Sequence, residues 1–192
     1  MERTASADRT STPAGPDYEA DDVLVVTEPE QLRALGDDLR GKIVVKLRER
    51  ARSISELAEE LELPKGTVGH HVKVLEKAGL LRVVRTRRVR ALTERYYGRV
   101  ARLFVVKGEE YPDEVRAFVA GGLRLAAEEL RPARADQQVA SGYLHARLTA
   151  EDARRFNRRL ERLLDDFRRG DTPDGDPYAL VGALYPTEAP RG

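Results

Sequence analysis

Apolar residues recur every three or four positions in five stretches of this sequence, the spacing that places side chains on one face of an α-helix. The first stretch is interrupted at Gly36-Asp37, where a second helix can begin. Each stretch therefore predicts a helix with one buried side. The apolar positions are Leu32, Leu35, Leu39, Ile43 and Leu47; Leu57, Ala58 and Leu61; Val68, Val72 and Leu75; Val115, Phe118, Val119, Gly122, Leu123, Ala126 and Leu130; and Ala153, Phe156, Leu160, Leu163, Leu164 and Phe167.

Polar residues before these stretches predict where the helices begin. Thr27, with a glutamate three residues later, has the spacing of a capping box, in which a side chain accepts a hydrogen bond from a first-turn amide. Ser55 can cap the helix that contains Leu57. Thr149 and Asp152 have the capping-box spacing again, before the last stretch.

The helices of the second and third stretches are joined by the short segment LELPKG, residues 61–66. Pro64 disfavours helical geometry at the residue before it and suits the opening of the next helix. Gly79 is typical of a helix C-terminus, because glycine adopts a left-handed backbone conformation easily. The pair is predicted to be a helix-turn-helix.

Four segments are predicted to contain strands, because they are rich in β-branched or aromatic residues or alternate in polarity. Residues 81–100, LRVVRTRRVRALTERYYGRV, indicate a hairpin with a basic tip, although a helix from Thr93 through residue 106 is an alternative. A helix-turn-helix followed by a basic hairpin is a winged helix. The other predicted strands are VLVV (23–26), YLHARL (143–148) and YALVGALYP (178–186).

These elements predict a fold that is mainly α with small β elements, of the α+β class. Residues 1–20 carry almost no large apolar side chain and are expected to be a disordered tail. Residues 21–107 would form the winged helix-turn-helix domain. Residues 108–192 would form an α+β region for dimerisation or effector binding, whose apolar helix faces exceed what one short domain usually hides and would dock on a second copy.

Charge is distributed unevenly along the 192 residues. Residues 40–107 hold 18 basic and 7 acidic side chains, whereas residues 1–30 hold 2 basic and 8 acidic ones, and the net charge of the whole chain is only +1. A local basic excess of this size is typical of a protein that binds a polyanion such as DNA. A solvated basic face without a partner is the alternative.

Several classes of protein are disfavoured by what the sequence lacks. The absence of cysteine excludes disulfides and thiolate metal sites. No apolar run is long enough to span a membrane, and the N-terminus lacks the apolar core of a secretory signal. Phosphate-binding loops, the G-x-S-x-G motif and clustered histidines and carboxylates are also missing. We expect a cytoplasmic protein that is not an enzyme and needs no cofactor, metal or membrane.

Two adjacent histidines, His70 and His71, lie in the third helical stretch. Neighbouring positions on a helix do not face each other, and the spacing H-E-x-x-H is absent, so the pair is poorly suited to bind one metal ion. A helical projection places His70, Lys73 and Lys77 opposite the buried side, with His71 at the flank beside the core. His70 then either faces the DNA major groove or is merely solvated.

Residues near the start of a helix that lies in the DNA major groove approach base edges and phosphates, and Gly66 and Gly69 would permit a close approach. Weak helix propensity tolerated for packing is the alternative explanation of both glycines. Arginines of the hairpin suit phosphates or an adjacent minor groove, although each can also be a bystander. The candidate DNA-binding residues are Lys65, Thr67, His70 and Lys73 on the helix and Arg85, Arg87, Arg88 and Arg90 on the hairpin.

The segments LRALGDDLRGKIVVKLRER and SISELAEELELPKGTVGHHVKVLEKAGLLRVVR resemble the ArsR-type winged-helix transcriptional regulators. The recognition segment of that family commonly has Ser or Thr followed by Val, a histidine pair, Leu or Val, and a Leu-x-x-x-Gly-Leu end. The resemblance covers about residues 27–101. It implies a dimeric DNA-binding repressor or activator whose two recognition helices occupy successive major-groove half-sites of double-stranded DNA. The matching positions are Thr67, Val68, His70, His71, Val72, Leu75, Gly79 and Leu80.

Departures from the family pattern limit what the resemblance implies. Sensors of this family often bind metal through cysteines or through histidines and carboxylates of the dimer helices, and this chain has no cysteine and no histidine in its C-terminal helices. Metal sensing is therefore not implied. Two alternatives remain open, a winged helix that binds another protein and a regulator that binds a small apolar effector near Tyr143, Tyr178 and Tyr185.

Overall fold

The computed structural model describes residues 16–89, 92–106, 112–131, 144–172, 175–176 and 178–187. The described helices, α1 to α6, and strands, β1 to β5, make the fold mainly α with small sheets, as the sequence predicts. In chain order they are β1 (Asp21–Val26), α1 (Pro29–Leu35), α2 (Asp38–Lys46), β2 (Arg52–Ser53), α3 (Ile54–Glu60), α4 (Lys65–Lys77), β3 (Leu81–Val89), β4 (Leu92–Arg99), β5 (Ala101–Val106), α5 (Pro112–Leu130) and α6 (Ala150–Arg169).

Two of the predicted helix starts are confirmed. Asp37 caps α2, because its side chain accepts a hydrogen bond from the Arg40 amide at 2.9 Å. The Thr149 hydroxyl accepts from the Asp152 amide at 3.1 Å at the start of α6. Each cap satisfies an amide that has no partner within its own helix.

The predicted cap at Ser55 is wrong, because Ser53 caps α3. The Ser53 hydroxyl accepts from the Glu56 amide at 3.3 Å, and the Glu56 carboxylate accepts from the Ser53 amide at 2.8 Å. This capping box requires a carboxylate three residues after the serine, which Ser53 has and Ser55 lacks.

The predicted cap at Thr27 is also wrong, because the N-cap of α1 is Glu28, which makes no side-chain cap bond. Pro29 occupies the first helical position. Proline disfavours helical geometry at the residue before it, so Glu28 stays extended and fixes the helix start one residue later than the threonine requires.

The core lies where α1 to α4 meet the base of the hairpin. Leu39 and Leu61, which were predicted to be buried, are only partly buried and pack against its edge. The other apolar positions predicted for α1 to α4 are buried, so the helical spacing identified the inner face of each helix. The buried side chains of this core include Leu32, Ile43, Leu47, Leu57, Val68, Val72, Leu75, Leu80 and Leu81.

The hairpin is confirmed as antiparallel strands β3 and β4, and the alternative helix from Thr93 is wrong. Strand β4 pairs with β3 from Leu81↔Arg99 to Val89↔Leu92 and also with the short strand β2, giving the order β2-β4-β3. The helix-turn-helix of α3 and α4 with this hairpin is a winged helix. The predicted strand at 23–26 is confirmed as part of β1, which pairs in parallel with β5.

Helix α5 packs across α1 and α2. A Cβ added at Gly36 would lie 3.1 Å from Ala117 Cβ, and one added at Gly41 would lie 2.9 Å from Leu125 Cδ1, so both glycines permit close helix contact. Three ion pairs flank this contact, Arg33 with Glu114 at 3.2 Å, Lys42 with Glu128 at 3.0 Å and Arg124 with Asp38 at 2.6 Å.

The strands predicted at 143–148 and 178–186 are wrong over the described residues 144–148 and 178–186, none of which is in a strand. A strand needs a neighbouring strand to pair its backbone, and these segments have none among the described residues. Segment 178–186 instead contacts α6, where a Cβ added at Gly182 would lie 2.8 Å from Leu160. No described helix is long and apolar enough to cross a membrane.

Candidate nucleic-acid interface

Helix α4 has one buried side and one exposed side. Val68, Val72 and Leu75 are fully buried against the core, whereas the other side carries exposed polar residues. The helix ends before Gly79, whose φ of +70° lies in the left-handed region. The exposed residues are Lys65, Gly66, Thr67, His70, Lys73 and Lys77, so all four candidates predicted on this helix are exposed.

The two glycines of α4 have different surroundings. Gly66 has nothing within 4 Å of the position of an added Cβ, so the backbone there is open to an approaching molecule. Gly69 is buried, and an added Cβ would lie 3.7 Å from the side chain of Ile54. The open backbone at Gly66 is compatible with the predicted close approach, whereas 3.7 Å is an ordinary contact distance, so packing does not require a glycine at Gly69.

The start of α4 presents free amide groups. Its N-cap is Pro64, which makes no side-chain cap bond, and its first turn contains no acidic residue. Amide groups at a helix start point outward and favour an anion such as a phosphate. The exposed Lys65 and Gly66 lie at this same end of the helix.

The two histidines have different surroundings, as the helical projection predicts. His70 is exposed, whereas His71 is partly buried with its Nδ1 atom 3.6 Å from Asp37 Oδ1. Their rings meet edge to face with centroids 5.4 Å apart. No group of three or more histidine, aspartate or glutamate side chains that could hold a metal ion exists in the described part of the chain.

The wing carries three of its four candidate arginines within the described residues, and Arg90 lies outside them. Arg87 and Arg88 are exposed and have no ion pair among the described residues. Arg85 already has two partners within the chain. Its guanidinium lies 4.8 Å from the centre of the Tyr96 ring, and its Nη1 atom lies 3.3 Å from Asp17 Oδ2. The candidate arginines therefore differ in how freely they can meet a phosphate.

Sequence reasoning missed the contact between residues 17–19 and the wing. The Tyr18 hydroxyl accepts from the Arg99 amide at 3.0 Å and donates to the Leu47 carbonyl, and burial raises the pKa of this phenol. Burial also lowers the pKa of Arg99, whose guanidinium lies 4.9 Å from the centre of the Phe104 ring.

Residues 1–15 of the predicted tail lie outside the described residues. The sequence signal for the contact between residues 17–19 and the wing is the charge of residues 17–30, which hold six acidic residues and no basic one and can therefore attract the basic wing.

The predicted aromatic effector site is not supported by the described residues. Tyr178 and Tyr185 are both exposed on the segment beside α6, and Tyr143 lies outside the described residues. An apolar ligand site is expected to enclose most of its ligand, which two exposed tyrosines do not do. The effector therefore stays a prediction.

Comparison with known proteins agrees with the geometry of the helix-turn-helix of α3 and α4. Residues 37–83 match the family described as bacterial regulatory proteins of the arsR family. A stretch of 52 residues is 42% identical to the HTH-type transcriptional repressor SmtB of Mycobacterium tuberculosis, in strain CDC 1551 / Oshkosh and in strain ATCC 25618 / H37Rv. That stretch is 27% of this chain and 38% of the repressor, so the similarity concerns part of each protein.

Proposed function

We propose that this chain, whose residues 37–83 match the arsR family of bacterial regulatory proteins, is a transcriptional regulator that binds specific double-stranded DNA sequences as a dimer. The observation that carries the proposal is the division of α4 into a fully buried inner side and an exposed polar, basic outer side beside a basic hairpin. The similar SmtB protein is named a repressor, and we extend repression to this chain as part of the proposal.

In this proposal α4 enters the major groove. Lys65, Thr67, His70 and Lys73 are exposed and meet base edges or phosphates, while the buried valines and Leu75 fix the helix against the core. The free amides at the helix start bind a phosphate and set the position of the helix on the duplex.

The wing supplies phosphate contacts beside the recognition helix. Arg87 and Arg88 are exposed on β3 and can reach a backbone or an adjacent minor groove. Arg90, which lies outside the described residues, has the same proposed role by its position in the sequence. A winged helix that binds another protein is the alternative, and the polar, basic outer side of α4 favours DNA over an apolar protein surface.

Binding to DNA is expected to weaken steeply with salt. Each phosphate that an arginine or lysine neutralises releases counterions, so four to six phosphate contacts per site would lower affinity by roughly 10²–10³-fold between 50 and 200 mM salt. Sequences selected from a random duplex pool and then titrated by fluorescence anisotropy test this. A two-fold symmetric consensus is expected, and a salt-insensitive association would contradict the proposal.

Support for a dimer comes from helix faces that lack cover within the described residues. The side of α5 that contacts α1 and α2 contains Ala117 and Leu125, whereas Leu123 and Leu130 are exposed. Helix α6 has no buried residue, although Leu163 and Phe167 extend an apolar stripe along it. A second copy of the chain would remove these faces from water.

Charged substitutions on these faces are expected to separate the dimer. Changing Leu123 and Leu130 together to Glu tests α5, and changing Leu163 and Phe167 together to Glu tests α6. The double substitution whose residues lie in the interface should convert the protein to a monomer, because it would bury unpaired carboxylates there. Mass by analytical ultracentrifugation gives the answer, with each pair as the control for the other. A monomeric parent protein would contradict the dimer.

A further inference from the structure

The chain contains an acidic segment next to its basic wing. Residues 17–30 hold six acidic side chains and no basic one, and four of the six lie within residues 17–22, which we call the acidic arm. The acidic residues of the arm are Asp17, Glu19, Asp21 and Asp22.

The arm is fixed mainly by its backbone and by Tyr18. The Asp17 amide donates to the Glu49 carbonyl at 2.9 Å, and the Asp21 amide donates to the Val100 carbonyl at 2.9 Å. The Tyr18 ring covers Gly98 so closely that an added Cβ there would lie 2.7 Å from the ring. The arm therefore does not depend on its carboxylates alone to stay in place.

Two wing arginines contact the arm. Asp17 Oδ2 lies 3.3 Å from Arg85 Nη1, and Arg82 Nη2 donates to the Glu19 carbonyl at 2.8 Å. About half of the Arg85 side chain is exposed, at 51%, and 39% of the Asp17 side chain is exposed. The ion pair is thus accessible to a phosphate from solution.

We propose that the acidic arm competes with DNA for Arg85 of the wing. Arg85 must leave Asp17 before it can pair with a phosphate, and a phosphate that approaches Arg85 also meets the negative charge of Asp17. The arm therefore lowers the affinity of the wing for DNA. This inference rests on the proposed function, because it concerns the same DNA-binding surface.

Asp17→Asn isolates the charge of the arm. The Asp17 Oδ1 atom accepts from the Ala51 amide at 2.6 Å, and asparagine keeps an oxygen acceptor for that bond while removing the ion pair with Arg85. One regained phosphate contact in each subunit of the dimer should tighten duplex binding by about three- to sixfold per subunit near 0.15 M salt and steepen the logarithmic salt slope by about 0.9 per subunit.

Asp22→Asn is the matched control, since it makes the same charge change at an exposed residue that lies 3.9 Å from Arg102 rather than beside Arg85. Screening over a Debye length of about 8 Å should limit its effect to about twofold or less. Equal effects of the two variants would overturn the competition, and weaker binding by Asp17→Asn would show that Asp17 instead positions Arg85.

A second comparison does not depend on changing the arm. If Arg85 is already paired with Asp17, Arg85→Gln should change binding of the parent protein by less than about twofold per subunit, whereas Arg87→Gln should weaken it by about three- to sixfold per subunit. Equal losses at Arg85 and Arg87 would overturn the inference. Failure of the parent protein and of Asp17→Asn to bind any duplex would instead reject the proposed function, and the competition with it.

Discussion

Changing Lys73 and Arg87 together to Glu is expected to reduce the affinity for duplex DNA about a hundredfold or more near 0.15 M salt. The two changes remove one contact from the outer side of α4 and one from the wing, and each places a carboxylate against the phosphate backbone. The logarithmic salt slope should fall by about two units for each subunit of the dimer, one unit for each lost contact. Anisotropy titrations of a selected duplex at several salt concentrations measure both quantities.

The fold should tolerate this double change. Both side chains are exposed, and neither has an ion pair among the described residues. Arg158→Glu with Arg162→Glu is a matched control, because it makes the same change in net charge on the exposed side of α6, outside the helix-turn-helix. Equal losses of affinity in the two double variants would show a general effect of net charge and would contradict the proposed interface.

Changing Leu75 to Ala is expected to lower the free energy of unfolding by about 2–5 kcal/mol. Leu75 is 0% exposed and belongs to the core that joins α4 to α3 and the hairpin, so the truncation leaves a cavity that neighbouring side chains fill only in part. Such a loss is large beside the ordinary stability of about 5–15 kcal/mol for a domain. Urea unfolding followed by circular dichroism measures the change.

Lys77→Ala provides the control on the opposite side of the same helix. Lys77 is exposed, so its truncation should change the free energy of unfolding by no more than about 0.5 kcal/mol. The contrast tests whether α4 is anchored by its inner side. A loss below about 1 kcal/mol for Leu75→Ala would mean that the helix is not packed as described.

The helical spacing of apolar residues was sufficient to predict the helix-turn-helix, because it depends on neighbours along the chain. Val68, Val72 and Leu75 therefore identified the inner side of α4, and Lys73 fell on its outer side. The ArsR resemblance, confirmed over residues 37–83, rests on the same local order of residues. The cap at Ser53 follows the same local rule, because Ser53 has a glutamate three residues later and Ser55 does not.

Contacts between distant parts of the chain were decided only by the tertiary structure. Nothing near Val23 indicates that β1 pairs in parallel with β5, about 80 residues later, or that Tyr18 lies against Gly98. Segments 144–148 and 178–186 have strand-like composition but no neighbouring strand. The sequence by itself determined which side of each core helix faces inward, whereas strand pairing and the contact between Asp17 and Arg85 depended on which surfaces the folded chain brought together, because backbone and ion-pair partners need not be near in sequence.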